Sequence, residues 1–201
     1  MNMQAVFFDF GGVIQRTEFQ APRQHLGQHF GMDYDDIDKL VFGSPSARQA
    51  SVGEISEDAH WANVLKRLKR PEAEAQAIKD EFFCGDVIDR ELVEFIRSLR
   101  GKFHVGLISN AWSGMRAHLK KEKLLDLFET VVISAEVGVM KPEARIYSIA
   151  LEQAGVKAEA AVFVDDVQVN IDACQQIGMK GVLFKDLQKA EDELKKLLKI
   201  K

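Results

Sequence analysis

At 201 residues the chain is long enough for one large core, or for one core with a smaller appended unit. Its 46% hydrophobic and 29% charged content is that of an ordinary globular protein, and a net charge of −4 excludes the basic excess of a nucleic-acid binder. No apolar run approaches the roughly 18 residues of a membrane span, so the expectation is a cytoplasmic chain with no nucleic-acid and no membrane partner.

The first element is the apolar run Ala5-Val6-Phe7-Phe8, which delivers Asp9 into Phe10-Gly11-Gly12 and reads as a buried strand. It begins after about four residues, leaving no room for a signal peptide. Residues 20–31 are expected to be helical, with Leu26 and Phe30 on one face and Gly31 as the stop. A second helix is expected over Asp33–Phe42, with Asp33, Asp35 and Asp36 in its first turn. Gly43-Ser44-Pro45-Ser46 reads as a loop, a third helix carries Trp61, Val64, Leu65 and Leu68, and Pro71 opens a fourth that reaches Phe83. A helix bearing Leu92, Phe95, Ile96 and Leu99 then leads into four more apolar runs, about 105–108, 131–133, 161–164 and 182–184. The helices between them are expected to end near Phe128, Gly155 and Gly178, the middle one starting at Pro142, and a lysine-rich helix closes the chain.

Continuous apolar strands alternating with helices predict an α/β fold, a Rossmann-like doubly wound parallel sheet. About 95 residues separate the first two strands, too many for an ordinary crossover. The expectation is therefore a core of residues 1–15 and 87–201, with an α-helical subdomain of residues 16–86 inserted after the first strand. Cys84 and Cys174 have no metal-ligand spacing and are expected to be reduced, buried thiols.

Three strands end in polar residues: Asp9, Ser109-Asn110 and Asp165-Asp166. Ligands of open α/β sheets bind at these carboxyl ends. Gly11 and Gly12 let backbone N–H groups approach an anion, yet a carboxylate beside an anion cradle repels it unless a cation intervenes. Lys141, placed against the expected N-terminus of a helix at Pro142, asks for an anion nearby. The pair Asp165-Asp166 is either a helix cap plus a solvated acid or a site for a hard divalent cation, for which Mg2+ is the economical choice. In the second case Asp9, a backbone carbonyl near Gly11 and an acid of the pair hold Mg2+, and the metal, Lys141 and Ser109 hold a phosphate against Asp9.

This set resembles the haloacid dehalogenase superfamily, specifically its Mg2+-dependent phosphatases with a helical cap after the first motif. Asp9 matches the family nucleophile, Ser109 in Leu107-Ile108-Ser109-Asn110 the phosphate-binding hydroxyl, and Lys141 in Val139-Met140-Lys141-Pro142-Glu143 the third motif. Val164-Asp165-Asp166, followed by Asn170 and Gly178-Met179, matches the fourth. The resemblance implies a phosphatase of a small phosphorylated metabolite, such as a sugar phosphate, working through an aspartyl-phosphate on Asp9. It makes Lys141 the second catalytic residue, Gly11, Gly12, Ser109, Asn110 and Lys141 the substrate contacts, and Asp9, Gly11, Asp166 and Asp165 the metal set. Asp166 is then the direct ligand and Asp165 a water-mediated partner.

One residue departs from the pattern. The family usually has an acid–base aspartate two residues after the nucleophile, where this chain has Gly11. Proton transfer by such a group contributes roughly 10²–10⁴-fold, so the chain is expected either to prefer substrates with good leaving groups or to bind a phosphorylated ligand without turnover. A 2-haloacid dehalogenase is a further alternative, opposed by Gly11 and by the Asp165-Asp166 pair. In the helical insertion, Glu18, Phe19 and Arg48 are candidates to face the site. His25 and His29 read as an exposed helix face, and Trp61 and Trp112 as core or rim aromatics. The sequence leaves monomer and homodimer open.

Overall fold

Ala5–Phe8 is β1, every residue of it buried, and it lies at the centre of a five-stranded sheet. The fold is taken from a computed structural model, which describes residues 2–200; Met1 and Lys201, the ends of the expected core, lie outside the described residues. In chain order the elements are β1, β2 (Gln15–Thr17), α1 (Ala21–His29), α2 (Tyr34–Phe42), α3 (Pro45–Ser51), α4 (Glu57–Leu68), α5 (Ala75–Phe83) and β3 (Asp86–Ile88). They continue with α6 (Arg90–Leu99), β4 (His104–Ser109), α7 (Met115–Lys121), β5 (Thr130–Ile133), α8 (Ser134–Val137) and α9 (Ala144–Ala154). The last are β6 (Ala161–Asp165), α10 (Gln168–Gln176), β7 (Lys180–Leu183) and α11 (Leu187–Leu198).

The main sheet has the order β5-β4-β1-β6-β7, with every neighbouring pair parallel. Alternation along β1 feeds two cores. Val6 and Phe8 pack with α6, α7 and α11 through Leu92, Ile96, Leu119 and Leu194, while Phe7 packs with α9 and α10 through Ile146, Tyr147 and Ile171. Burial on both faces is why these strands are unbroken apolar runs. Gly106 of β4 leaves the space that the Phe7 ring occupies, since a Cβ there would run into it.

The helices α1–α5 build a core of their own around Leu26, Ile37, Val41, Trp61, Val64, Leu65 and Phe82. Each of α2, α3 and α4 starts on a side-chain cap, from Asp33, Ser44 and Ser56, that accepts a backbone N–H of the first turn. The segment expected as a loop is thus the start of α3: Ser44 caps it and Pro45 begins it. The chain enters and leaves this helical unit through β2 and β3, an antiparallel pair in which Arg16 faces Val87. Arg23 is the unit's buried cation. Its guanidinium bonds Asp38 at 2.6 Å and Asp86 at 3.0 Å and lies 4.1 Å from the centre of the Phe82 ring.

Three further expectations need correction. The helix after Met140 begins at Ala144 rather than Pro142, so Lys141 does not oppose its dipole. The helix expected to run to Phe128 stops at Lys121 and gives way to a short turn at Leu125–Leu127. Cys84 is exposed, and only Cys174 is a buried thiol. No helix among the described residues is long and apolar enough to cross a membrane.

His60 of α4 is wholly buried, its Nδ1 2.9 Å from Ser46 Oγ, and burial lowers its pKa below the ordinary 6.5. Its folded form resists protonation that the unfolded chain accepts, so the stability it supports is present above about pH 6.5 and is lost as pH falls through the lower folded value. Thermal unfolding followed across this range is expected to show a falling midpoint with acidification. The fall is expected to be smaller in His60→Gln, and equal slopes in the two proteins would contradict the assignment.

Candidate active site

The register sets the site. Phe8 lies opposite Val164, so the next residues on the two central strands, Asp9 and Asp165, emerge side by side. Two carboxylates at that spacing repel, and the ammonium of Lys141 lies between them. Its Nζ is 2.7 Å from Asp9 Oδ1 and 2.7 Å from Asp165 Oδ2, with 2% of the lysine exposed. The lysine is itself fixed at its backbone: its N–H donates to Asn110 Oδ1 at 2.7 Å, and its carbonyl accepts from Asn110 Nδ2 at 3.0 Å.

Asp165 is fully enclosed. Besides Lys141 it accepts from the Val167 N–H at 2.8 Å and from Asn170 Nδ2 at 3.0 and 3.1 Å. Its oxygens are thus occupied by protein donors, whereas Asp166 is exposed. One carboxylate oxygen from each of Asp9, Asp165 and Asp166 falls within a 4.8 Å group. Burial pushes the Asp9 carboxyl up to about 7, against the pull of Lys141 and with the help of Asp165. Burial, and then Asp165, also raises Asp166. Three carboxylates facing one ammonium leave an excess of negative charge that a hard divalent cation would neutralise, and an all-oxygen donor set suits Mg2+.

The turn after Asp9 is tied down by backbone bonds, Ile14 N–H to Phe10 O at 2.8 Å and Gln15 N–H to Phe10 O at 2.9 Å. Gly12 has φ +79, and a Cβ there would collide with the Asp166 carboxylate. Its N–H is donated to Gln15 O at 2.9 Å. Gly11 differs, with nothing within 4 Å of a Cβ built on it. Ser109 ends β4 and is buried. Of the residues in the helical unit, Arg48, His25 and His29 are exposed, Glu18 pairs with Arg16 at 3.0 Å, and Phe19 is exposed.

Comparison with known proteins places this geometry. The description haloacid dehalogenase-like hydrolase matches residues 3–178. The chain belongs to that family. It is 27% identical to the phosphorylated carbohydrates phosphatase of Thermotoga maritima over 188 residues, covering 90% of this chain and 84% of that one. It is 30% identical to the pyrimidine 5'-nucleotidase YjjG of Escherichia coli, over 77% of this chain and 64% of that one. The bifunctional epoxide hydrolase 2 of Rattus norvegicus is 22% identical over 98% of the chain, which spans only 39% of that protein. Among solved structures, a HAD family enzyme of Bacteroides thetaiotaomicron, in complex with magnesium and inorganic phosphate, shares the fold. The TM-score is 0.78 at 21% identity, over 92% of this chain and 95% of the other.

Sequence reasoning brought together Asp9, Lys141, Asp165 and Asp166, and the haloacid dehalogenase-like fold seats them in one place. It missed what Asn110 does, because its partner is the backbone of a residue 31 positions on. The contrast between the two acids is measurable without any substrate. Asp165→Ala breaks one of the two ion pairs of the buried lysine and leaves the Val167 N–H and the Asn170 amide without their acceptor, and is expected to cost about 3–5 kcal/mol of unfolding free energy. Asp166→Ala, at an exposed and crowded acid, is expected to stay within about 0.5 kcal/mol. Denaturant unfolding compares them, and equal costs would contradict the division.

Proposed function

We propose that this haloacid dehalogenase-like hydrolase is a Mg2+-dependent phosphoric monoester hydrolase acting on a small phosphorylated metabolite. The observation that carries the reading is the Lys141 ammonium held at 2.7 Å from both Asp9 and Asp165, with Asp166 open on the same rim. Asp9, the Gly11 carbonyl and Asp166 would hold the metal, and Asp165 would serve it through water. When bound, Mg2+ neutralises charge on the transferring phosphoryl group.

In this reading an Asp9 carboxylate oxygen forms a bond to phosphorus as the ester oxygen leaves with its electron pair, giving an aspartyl-phosphate that water hydrolyses to inorganic phosphate. Lys141 offsets negative charge on the phosphoryl oxygens and Ser109 donates its hydroxyl to one of them. Asn110 contributes by holding Lys141. Residues 16–86 act as a cap that selects the leaving group, with residues 1–15 and 87–201 as the catalytic core. The names of the Thermotoga and Escherichia relatives, a carbohydrate-phosphate phosphatase and a nucleotidase, support a small phosphorylated substrate.

The leaving oxygen must take up a proton, and Gly11 has none to give. Substrates whose leaving group needs little protonation, such as an anomeric sugar phosphate, an acyl phosphate or an aryl phosphate, therefore suit the site best. The same open position favours a second reading, binding of a phosphorylated ligand without turnover. Phosphate release from a panel of monoesters with Mg2+ separates the two. Wild type is expected to turn over aryl and anomeric phosphates, to lose activity on chelation, and to be inactive as Asp9→Asn. Gly11→Asp, which the open space accommodates, is expected to gain about tenfold or more on unactivated alkyl phosphates. Rates independent of leaving-group acidity would count against the leaving-group argument. No release above the Asp9→Asn background, with thermal stabilisation by the same esters, would establish the binding reading.

A further inference from the structure

The residues between the end of β4 and the start of α7 are tethered position by position, and the tethers run in two directions. Asn110 clamps the backbone of Lys141, as described above. The Ala111 N–H donates to Ser134 Oγ at 3.0 Å, and that hydroxyl donates to Ala111 O at 3.2 Å. From Trp112 onward the partners belong to the helical unit. Trp112 Nε1 donates to the Ala47 carbonyl at 3.3 Å, and its ring stacks on Phe42 and lies 4.5 Å from the His60 ring centre. Glu57, the first residue of α4, then makes a reciprocal pair. Its N–H donates to Ser113 Oγ at 3.2 Å, while its Oε2 accepts from the Gly114 N–H at 3.1 Å. A Cβ at residue 114 would collide with that carboxylate, so glycine is what admits it. Lys79 Nζ, 3.8 Å from Glu57 Oε1, supplies a countercharge within the helical unit.

We propose that Glu57 is a positioning residue for Lys141, acting from the helical unit through Gly114, Ser113 and Asn110 to place the lysine ammonium between Asp9 and Asp165. A short segment held at both ends transmits a displacement at one end to the other. With Glu57 engaged, residues 112–114 are pinned and the Asn110 amide faces the Lys141 backbone squarely. With Glu57 disengaged, Asn110 loses one of the supports that keep both of its bonds aligned. Docking of the helical unit therefore assembles the charge cluster as well as covering it. A charge-assisted bond is the strongest of these tethers, which is why the glutamate rather than the Trp112 indole is the residue to test.

The proposal rests on the phosphatase reading for its kinetic arm only. The Lys141 N–H is donated to Asn110 Oδ1, so its hydrogen exchange reports the clamp with no substrate present. Glu57→Ala is expected to speed that exchange about tenfold or more, leaving the amides of β1 and β6 unchanged. Glu57→Gln keeps an oxygen that can accept from Gly114 and is expected to exchange as wild type does. On a substrate that wild type turns over, Glu57→Ala is expected to lose about tenfold, in kcat more than in KM. It is expected to lose no more once Asn110→Ala is present, because two residues on one path do not add. Unchanged Lys141 exchange in a folded Glu57→Ala protein, or a Glu57 effect as large in the Asn110→Ala background as in wild type, would overturn the proposal. If wild type releases no phosphate, the phosphatase reading fails and the exchange result alone decides this one. If Glu57→Ala does not fold, Ser113→Ala removes only the exposed half of the reciprocal pair. Faster Lys141 exchange in that variant then supports the proposal, and an unchanged rate overturns it.

Discussion

A buried ammonium between two buried carboxylates is the constraint on which this molecule depends. Removing a lysine from water is costly, and the cost is offset only if every proton finds an acceptor and the countercharges are themselves satisfied. The structure meets that condition unevenly. Asp165 is closed off by Lys141, Asn170 and the Val167 N–H, whereas among the described residues Asp9 has only Lys141 and the Phe10 N–H. The closed acid fixes the lysine, and Asp9 is the less engaged of the two. The demand reaches back into the sheet, because Asp9 and Asp165 face each other only if β1 and β6 are neighbours in the observed register.

The helical unit solves the same electrostatic problem with a different cation. Arg23 bridges Asp38 in α2 and Asp86 at the start of β3, and Asp86 also accepts from Thr17 Oγ1 at 2.7 Å. A planar guanidinium suits this place, since it reaches two carboxylates while its carbon lies over the Phe82 ring. The result is a cross-linked foot where the chain passes into and out of the unit. Trp112 and Glu57 provide the second attachment. The unit is thus held at its base and at one side.

How much of this was legible in the sequence depended on whether a residue's partner was local. The sheet strands stood out as apolar runs, most plainly β1 and β6, where burial on both faces demands stretches such as Ala161-Val162-Phe163-Val164. β2 and β3 did not, since Gln15-Arg16-Thr17 and Asp86-Val87-Ile88 are short, partly polar and form a two-stranded pair of their own outside the main sheet. α3 was hidden for the opposite reason: serine and proline mark helix starts as readily as they mark loops. Lys141 was legible as a charge needing a partner, although the helix-dipole argument for it does not hold in a helix that begins at Ala144. Asn110 stood out as a polar strand end but not for what it holds, and Glu57 carried no signal, because what they bond is the backbone of distant segments.

The two glycines after Phe10 look alike in sequence and differ in cause. Gly12 is required by the fold: its φ is +79, and the Asp166 carboxylate occupies the place a Cβ would take. Gly11 is required by nothing around it. Its φ lies outside the left-handed region, and no atom comes within 4 Å of where its side chain would begin. A Cβ meets nothing there, so a side chain at this position is not barred by a contact at its root or by a left-handed backbone. In the phosphatase reading the leaving group, rather than the protein at that position, would have to meet the need for a proton.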